Sequence, residues 1–372
     1  MSKPLNKEIF NTSAFYFSSM KETVDAFEFK NQEFVYSRGN NPTVRELERE
    51  LAKLEKGADA VCFASGMAAI STVMFSLLQN GDTFLSSSML YGSTKSFFRD
   101  FLPNYGINGI FLDFSKITKE ELERVIKDNL PKVVYIETPS NPVLETFSVE
   151  YLAGICKKFE IKFIVDNSLL SPIIQRPLDM GADIVIESLT KHISGHGNTL
   201  GGVAISNDVT YIHKLKFNFM CELGGVLNPE AASMILSGIQ TLKARIRMQQ
   251  ETTQYICEEL KKKYPQYKVL YPHPFEKEEQ GVGSVFSLIL TDFSEKEIFA
   301  FIDALKLFKI SVSFGEVHSL VCYPRYMTHR SYIGSEEEKE LKHLVRFSIG
   351  LEDKDELLND INAALIQSIN VS

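Results

Sequence analysis

The chain has 372 residues, a length that suggests two domains, and with 44% hydrophobic and 24% charged residues its composition is globular rather than disordered. Forty basic against 48 acidic residues leave a net charge of −8 with both signs interspersed, which argues against a nucleic-acid or anionic-membrane surface. No apolar run approaches the ~18–20 residues that cross a bilayer, and five scattered cysteines (Cys62, Cys156, Cys221, Cys257, Cys322) form neither a disulfide framework nor a zinc cluster.

The opening residues MSKPLNKEIF carry no apolar signal core, so a soluble, cytoplasmic protein is expected. Residues 1–43 read as an N-terminal arm. Its aromatics, Phe10 to Tyr36, lack a clean period and are too many for a free tail, so the arm is expected to pack on a partner subunit. VRELERELAKLEKG then places Leu47, Leu51 and Leu54 at i, i+4 and i+7. That spacing predicts an amphipathic helix, with Thr43 as its cap and Gly57 as its stop. AVCFA (60–64) is a buried strand leading into the helical GMAAISTVMFSLL, and TFLSSSML is a further strand ending at Tyr91-Gly92. KVVYIET (132–138) leads through a loop to a helix near 148–159, and KFIVDN (162–167) and DIVIESL (183–189) follow. Buried strands alternating with helices predict a mostly parallel α/β sheet in a large domain, residues 44–235. From Pro229 the texture changes. A helical pattern reaches about residue 264, then come a β-rich stretch (Val282–Leu290), a helix over 294–308, a strand near 309–314 and a helix near 353–368. This order predicts a smaller α+β domain, residues 236–372, with the boundary inside the long helix.

The most informative stretch is SLTKHISGHGNTLGG, Ser188 to Gly202, where Lys191 directly follows a buried-strand pattern. For a lone lysine a solvated strand end is the commoner explanation. Asp166, however, ends the strand KFIVD, and open α/β sheets bind ligands beyond the carboxyl ends of their strands. An amine and a carboxylate at two such ends fit pyridoxal phosphate (PLP): lysine as Schiff-base partner, aspartate keeping the pyridine nitrogen protonated. Asp166 alone also fits a helix cap. Ser65-Gly66-Met67 lies where a strand turns into a helix, an arrangement that supplies phosphate donors, and Ser188 and Thr190 add two hydroxyls. Tyr91 can stack on a planar ring or pack in the core. Tyr36 and Arg38 sit in the aromatic arm, where an arginine suits phosphate. No metal site is indicated.

Eight segments carry a resemblance: YSRGNNPT (36–43), FASGMAAI (63–70), YGST (91–94), ETPSNP (137–142), VDNS (165–168), SLTKHISGHG (188–197), PRYMTH (324–329) and LVRFSIGLED (344–353). In this order they resemble the Cys/Met-metabolism family of PLP enzymes, which includes cystathionine γ-synthase, cystathionine γ-lyase, methionine γ-lyase and O-acetylhomoserine sulfhydrylase. The resemblance implies the aminotransferase-like fold (fold type I) and roles for matching residues. Lys191 would be the Schiff-base and catalytic lysine, Asp166 the pyridinium partner, Tyr91 the stacking ring and a candidate acid, and Asn141 the partner of the ring hydroxyl. Gly66, Met67, Ser188 and Thr190 would hold the phosphate. Tyr36 and Arg38 would reach the cofactor of a neighbouring subunit in a dimer, the family usually forming tetramers. Arg346 would bind the substrate α-carboxylate, with Asn141, Ser313 and His318 also facing substrate. The implied activity is chemistry at the γ-carbon of sulfur amino acids or O-acylhomoserines. Replacement by a thiol is preferred over γ-elimination, with an aminotransferase or a non-catalytic PLP-binding relative as further alternatives. Three departures bear on that choice: His192 where tyrosine commonly follows the lysine, GHGNTLGG (195–202), which is closer to sulfhydrylases, and His318 in SFGEVHSL (313–320), where several synthases and lyases carry glutamate.

Overall fold

The computed structural model describes residue 5 and residues 7–31, 33–114, 116–272 and 282–369, so residues 1–4, 6 and 32 of the expected arm lie outside the described residues. Seven strands, β1 (Asp59–Phe63), β2 (Thr83–Ser87), β3 (Asn108–Leu112), β4 (Val133–Glu137), β5 (Lys162–Asp166), β6 (Ile184–Glu187) and β7 (Gly202–Ser206), form one sheet in the order β1-β7-β6-β5-β4-β2-β3. Strands β2 to β6 pair in parallel, and β7 runs antiparallel between β6 and β1. Both faces of this sheet are covered, so its strands read as near-continuous apolar runs, and β4 and β7 are buried throughout. The mostly parallel α/β sheet expected from the sequence is thus observed. Strands β3 and β7 were not marked by the sequence pattern.

The amphipathic helix spans Pro42–Glu55 and buries Leu47 and Leu51 completely. Its cap is Asn41 rather than Thr43. The Asn41 side chain accepts from the amides of Thr43 (3.0 Å) and Val44 (3.5 Å), while the Thr43 hydroxyl accepts from Phe10 N (3.0 Å) and pins the arm. Lys56, not Gly57, takes the left-handed conformation at the helix end. Gly57 is needed for space, since a Cβ there would lie 2.6 Å from the Ile205 side chain.

A second sheet of five strands, β8 (Lys268–Leu270), β9 (Val285–Ile289), β10 (Lys309–Ile310), β11 (Leu320–Cys322) and β12 (Leu344–Ser348), has the order β10-β11-β12-β9-β8. The strand expected over 309–314 is two residues long, because the backbone beyond Ile310 leaves the sheet to cover the cavity described below. The helix expected over 294–308 ends at Ala304. One helix, Pro229–Lys263, joins the two sheets. Its residues Ile235, Leu242 and Ile246 pack with the first sheet, and Ile256, Cys257 and Leu260 with the second. Among the described residues no helix is long and apolar enough to cross a membrane.

Candidate active site

The carboxyl ends of β1, β2, β4, β5 and β6 converge on one cavity of about 190 Å³. β1 leads to Ser65 and the Gly66–Leu77 helix, β2 to Tyr91, β4 to Glu137 and Asn141, β5 to Asp166, and β6 to Ser188, Thr190 and Lys191. All of these residues line the cavity. They come from five separate segments of chain, brought together only by the order of strands in the sheet.

At one end stands the N-terminus of the Gly66–Leu77 helix. The Ser65 hydroxyl accepts from Ala68 N (3.1 Å) and the Ser65 carbonyl from Ala69 N (3.1 Å). The amides of Gly66 and Met67 have no intrahelical acceptor and are left for an anion, with the helix dipole favouring it. Approach is close here. A Cβ at Gly66 would sit 3.1 Å from that of Ser188, and one at Gly202 would lie 2.2 Å from the Ser65 carbonyl oxygen. The Thr190 hydroxyl closes the strand-end loop by accepting from Gly201 N (3.1 Å) and donating to Gly201 O (3.3 Å).

At the other end Asp166 is 7% exposed. One of its oxygens accepts from the Tyr135 hydroxyl (2.9 Å) and the other from Ser168 N (3.0 Å). Burial raises its pKa above the ordinary aspartate value, against the pull of these hydrogen bonds. Between the two ends the Lys191 amine donates to the Ser313 hydroxyl (3.2 Å) and lies over the Phe314 ring. Burial, and then the Arg346 guanidinium, lower its pKa to about 8, with Glu316 opposing. An amine held there is largely neutral, and hence nucleophilic, in mildly alkaline solution.

Glu137 was not singled out from the sequence, yet it joins two expected site residues. Its carboxylate accepts from Tyr91 N (2.9 Å) and Asn141 N (3.1 Å). The signal was an acid ending an otherwise apolar buried strand, VVYIE, just before the TPSNP turn. Tyr135 and Ser168, the partners of Asp166, carried no such signal. Arg346 is 1% exposed and donates to the Asn141 side chain (2.9 Å) and to the carbonyls of Val312 (3.2 Å) and Ser313 (2.9 Å). Its Nε is buried without a partner.

Three expected residues, Tyr36, Arg38 and His318, lie apart. Tyr36 and Arg38 line a separate cleft of about 670 Å³ with Phe29, Asp59 and Phe217, where Arg38 donates to the Cys221 carbonyl (3.3 Å). His318 is exposed and outside the cavity lining. His192 is buried against Phe314, and burial drives its pKa down to about 3, so the ring is neutral.

The cavity fits pyridoxal phosphate: anion donors at one end, a carboxylate at the other, an amine between them and a guanidinium beyond. Known proteins agree. A cystathionine γ-lyase of Bacillus subtilis is 37% identical over 341 residues, covering 89% of this chain and 88% of its own. A cystathionine γ-synthase/O-acetylhomoserine (thiol)-lyase of the same organism is 35% identical over 339 residues, covering 90% of this chain and 86% of its own. The crystal structure of cystathionine γ-synthase from Xanthomonas oryzae, in complex with aminoacrylate and cysteine, superposes with a TM-score of 0.90 at 32% identity, over 99% of this chain and 94% of that one. The family described as Cys/Met metabolism PLP-dependent enzyme matches residues 2–366, and the protein is a member of that family, a PLP-dependent enzyme of sulfur amino-acid metabolism.

Proposed function

We propose that the protein catalyses γ-replacement: it takes an O-acylhomoserine or related amino acid with a leaving group on the γ-carbon and installs a thiol there. In the O-acyl case a C–O bond breaks, a C–S bond forms, and the thiol proton leaves with the carboxylic acid. The observation that carries the reading is the Lys191–Arg346 pair. The guanidinium whose Nε lacks a partner offers a planar donor set to an α-carboxylate, beside an amine able to work on the adjoining carbon.

Bound pyridoxal phosphate supplies an electron sink that acidifies the carbons of an amino acid joined to it. The first turn of the Gly66–Leu77 helix, with Ser188 and Thr190, holds its phosphate. Asp166 holds a proton at its ring nitrogen, and Asn141 meets its ring hydroxyl. Tyr91 covers one face and serves as acid toward the leaving group. The Lys191 amine takes the α-proton and returns one later. Arg346 orients the substrate, and the buried Phe314 and Leu169 give the cavity an apolar wall. Tyr36 and Arg38 serve the cofactor of a second subunit, so the active unit is a dimer, assembled into a tetramer in the cytoplasm. The arm 1–43, the large unit 44–235 and the small unit 236–372 divide these tasks.

The run GHGNTLGG and the likeness to the γ-synthase structure support replacement, while the 37% identity to a γ-lyase favours γ-elimination as a second reading. Initial rates separate them. With an O-acylhomoserine plus sulfide or cysteine, the thiol adduct is expected to form faster than keto acid and ammonia form from methionine or cystathionine alone. The reverse order of rates makes the protein a lyase.

A further inference from the structure

Behind the cavity, on the opposite face of the first sheet, lies a polar cluster that the proposed chemistry does not use. Side chains alternate along β6, so Val185 and Glu187 face the Pro42–Glu55 helix and its apolar core. Glu187 and Glu55 are both 0% exposed there. Glu187 Oε1 accepts from the Asn167 side-chain amide (2.8 Å), which also donates to the Gln175 carbonyl (2.9 Å). The Gln175 side-chain amide donates in return to Asn167 Oδ1 (3.2 Å). Three acceptors remain buried without a donor: Glu187 Oε2, Glu55 Oε2 and Gln175 Oε1. A buried acceptor left unmade is costly, and a proton on one carboxyl creates the missing donor. Ionising both acids would also set two like charges in an apolar layer.

Asn167 directly follows Asp166, and the turn beyond it is tied to the end of β6 at three places. Asn167 N donates to Ile186 O (2.9 Å), its side chain donates to Glu187, and the Ser168 hydroxyl accepts from Ser188 N (2.7 Å). We infer that Glu187 folds as a neutral carboxylic acid, its buried Oε2 carrying the proton, and that through Asn167 it is a positioning residue for Asp166. The positioning role rests on Asp166 serving the cofactor nitrogen; the protonation does not. A neutral Glu187 also spares Asp166 a second negative charge across the sheet.

The groups facing Glu187 are Glu55 from the Pro42–Glu55 helix and Asp166 and Asn167 at the end of β5, with Gln175 on the far side of Asn167 and Arg176 and Asp179 beyond Glu55. Burial first, then the Glu55 and Asp166 carboxylates, push the Glu187 pKa well above 4.5. Burial likewise raises Glu55 to about 8. A raised acid in the folded state holds its proton longer than in the unfolded chain. Its contribution to stability is therefore full below pH 4.5 and declines as pH rises toward the folded value.

Two variants of the full-length protein test this. Glu187→Gln keeps an acceptor for Asn167 and replaces the acid proton with an amide donor, whereas Glu187→Ala removes both. The glutamine variant is expected to unfold at the wild-type temperature at neutral pH, to bind PLP within about twofold of wild type, and to lose part of the decline of stability with rising pH. Its infrared spectrum should lack part of the carboxylic-acid carbonyl band of the wild type. The alanine variant should bind PLP about tenfold more weakly, the equivalent of one buried hydrogen bond lost. A glutamine variant as unstable as the alanine one, or one that keeps the full wild-type pH slope and infrared band, overturns the inference. These readouts need no turnover, so they stand whichever reaction the enzyme performs. If they fail while Lys191 still binds PLP, the proposed function is untouched.

Discussion

Lys191 shows how position rather than residue type sets reactivity. Its amine is buried between Ser313, the Phe314 ring and the Arg346 guanidinium, and it ionises at about 8 instead of 10.5. Above that value the amine is neutral and attacks an aldehyde; below it the ammonium cannot. Capture of PLP by the cofactor-free protein, followed by imine absorbance, is therefore expected to accelerate as pH rises through about 8, and a flat profile would count against the assignment. Lys191→Ala should lose the borohydride-fixed label and about 10²–10⁴-fold in turnover, while still binding PLP through the phosphate donors. Arg346 makes a second case. Lysine there keeps the charge but not the planar fork, so Arg346→Lys is expected to raise KM about tenfold with a smaller change in kcat. A kcat loss at unchanged KM would place Arg346 away from the carboxylate.

The element that holds the lysine loop is the long Pro229–Lys263 helix. It meets residues 192–195 so closely that a Cβ at Gly238 would lie 2.3 Å from the Ser194 carbonyl oxygen. Two turns on, the buried Arg245 guanidinium donates to the carbonyls of His192 (2.8 Å), Ile193 (3.3 Å) and Gly238 (2.8 Å). It thereby ties the helix to the loop with charge-assisted bonds to backbone. Backbone cannot move aside as a flexible side chain can. Gly238→Ala should therefore destabilise the protein by roughly 1–3 kcal/mol and weaken PLP binding along with it. Thermal unfolding and a PLP titration check both effects. An alanine variant normal in both would show that the loop holds its place without the helix.

For the whole molecule, Tyr36 and Arg38 offer a test of how many chains make a site. Both line a cleft separate from the Lys191 cavity, and Tyr36 is 49% exposed. Their neighbourhood in the arm is rich in exposed aromatics, including Tyr16, Phe27 and Phe29. If they serve a second subunit, mixing Arg38→Ala with Lys191→Ala protomers restores activity. In random dimers half are hybrids, each with one intact site of two, so about a quarter of all sites should work. Hybrids that form but remain inactive would return both residues to their own subunit.

Apart from β3, the strand–helix alternation of residues 60–189 is legible in the amino-acid order, because burial on both faces of a parallel sheet leaves its mark as short apolar runs. The amino-acid order also determined that Asp166 and Lys191 end two such runs, which is enough to put them on one side of the sheet. What those ends meet emerges only on folding. The short strand β7 turns back antiparallel, and residues 311–314 leave the second sheet to wall the cavity. Asn41 takes the cap from Thr43, whose hydroxyl is drawn off by Phe10, 33 residues away. Nothing in the amino-acid order marks Glu187, and only folding buries its Oε2, like Glu55 Oε2 and Gln175 Oε1, short of a donor. Periodicity reports which face of an element is buried. It carries no information on which polar atoms from distant segments will share that burial, and hydrogen bonding and protonation are settled there.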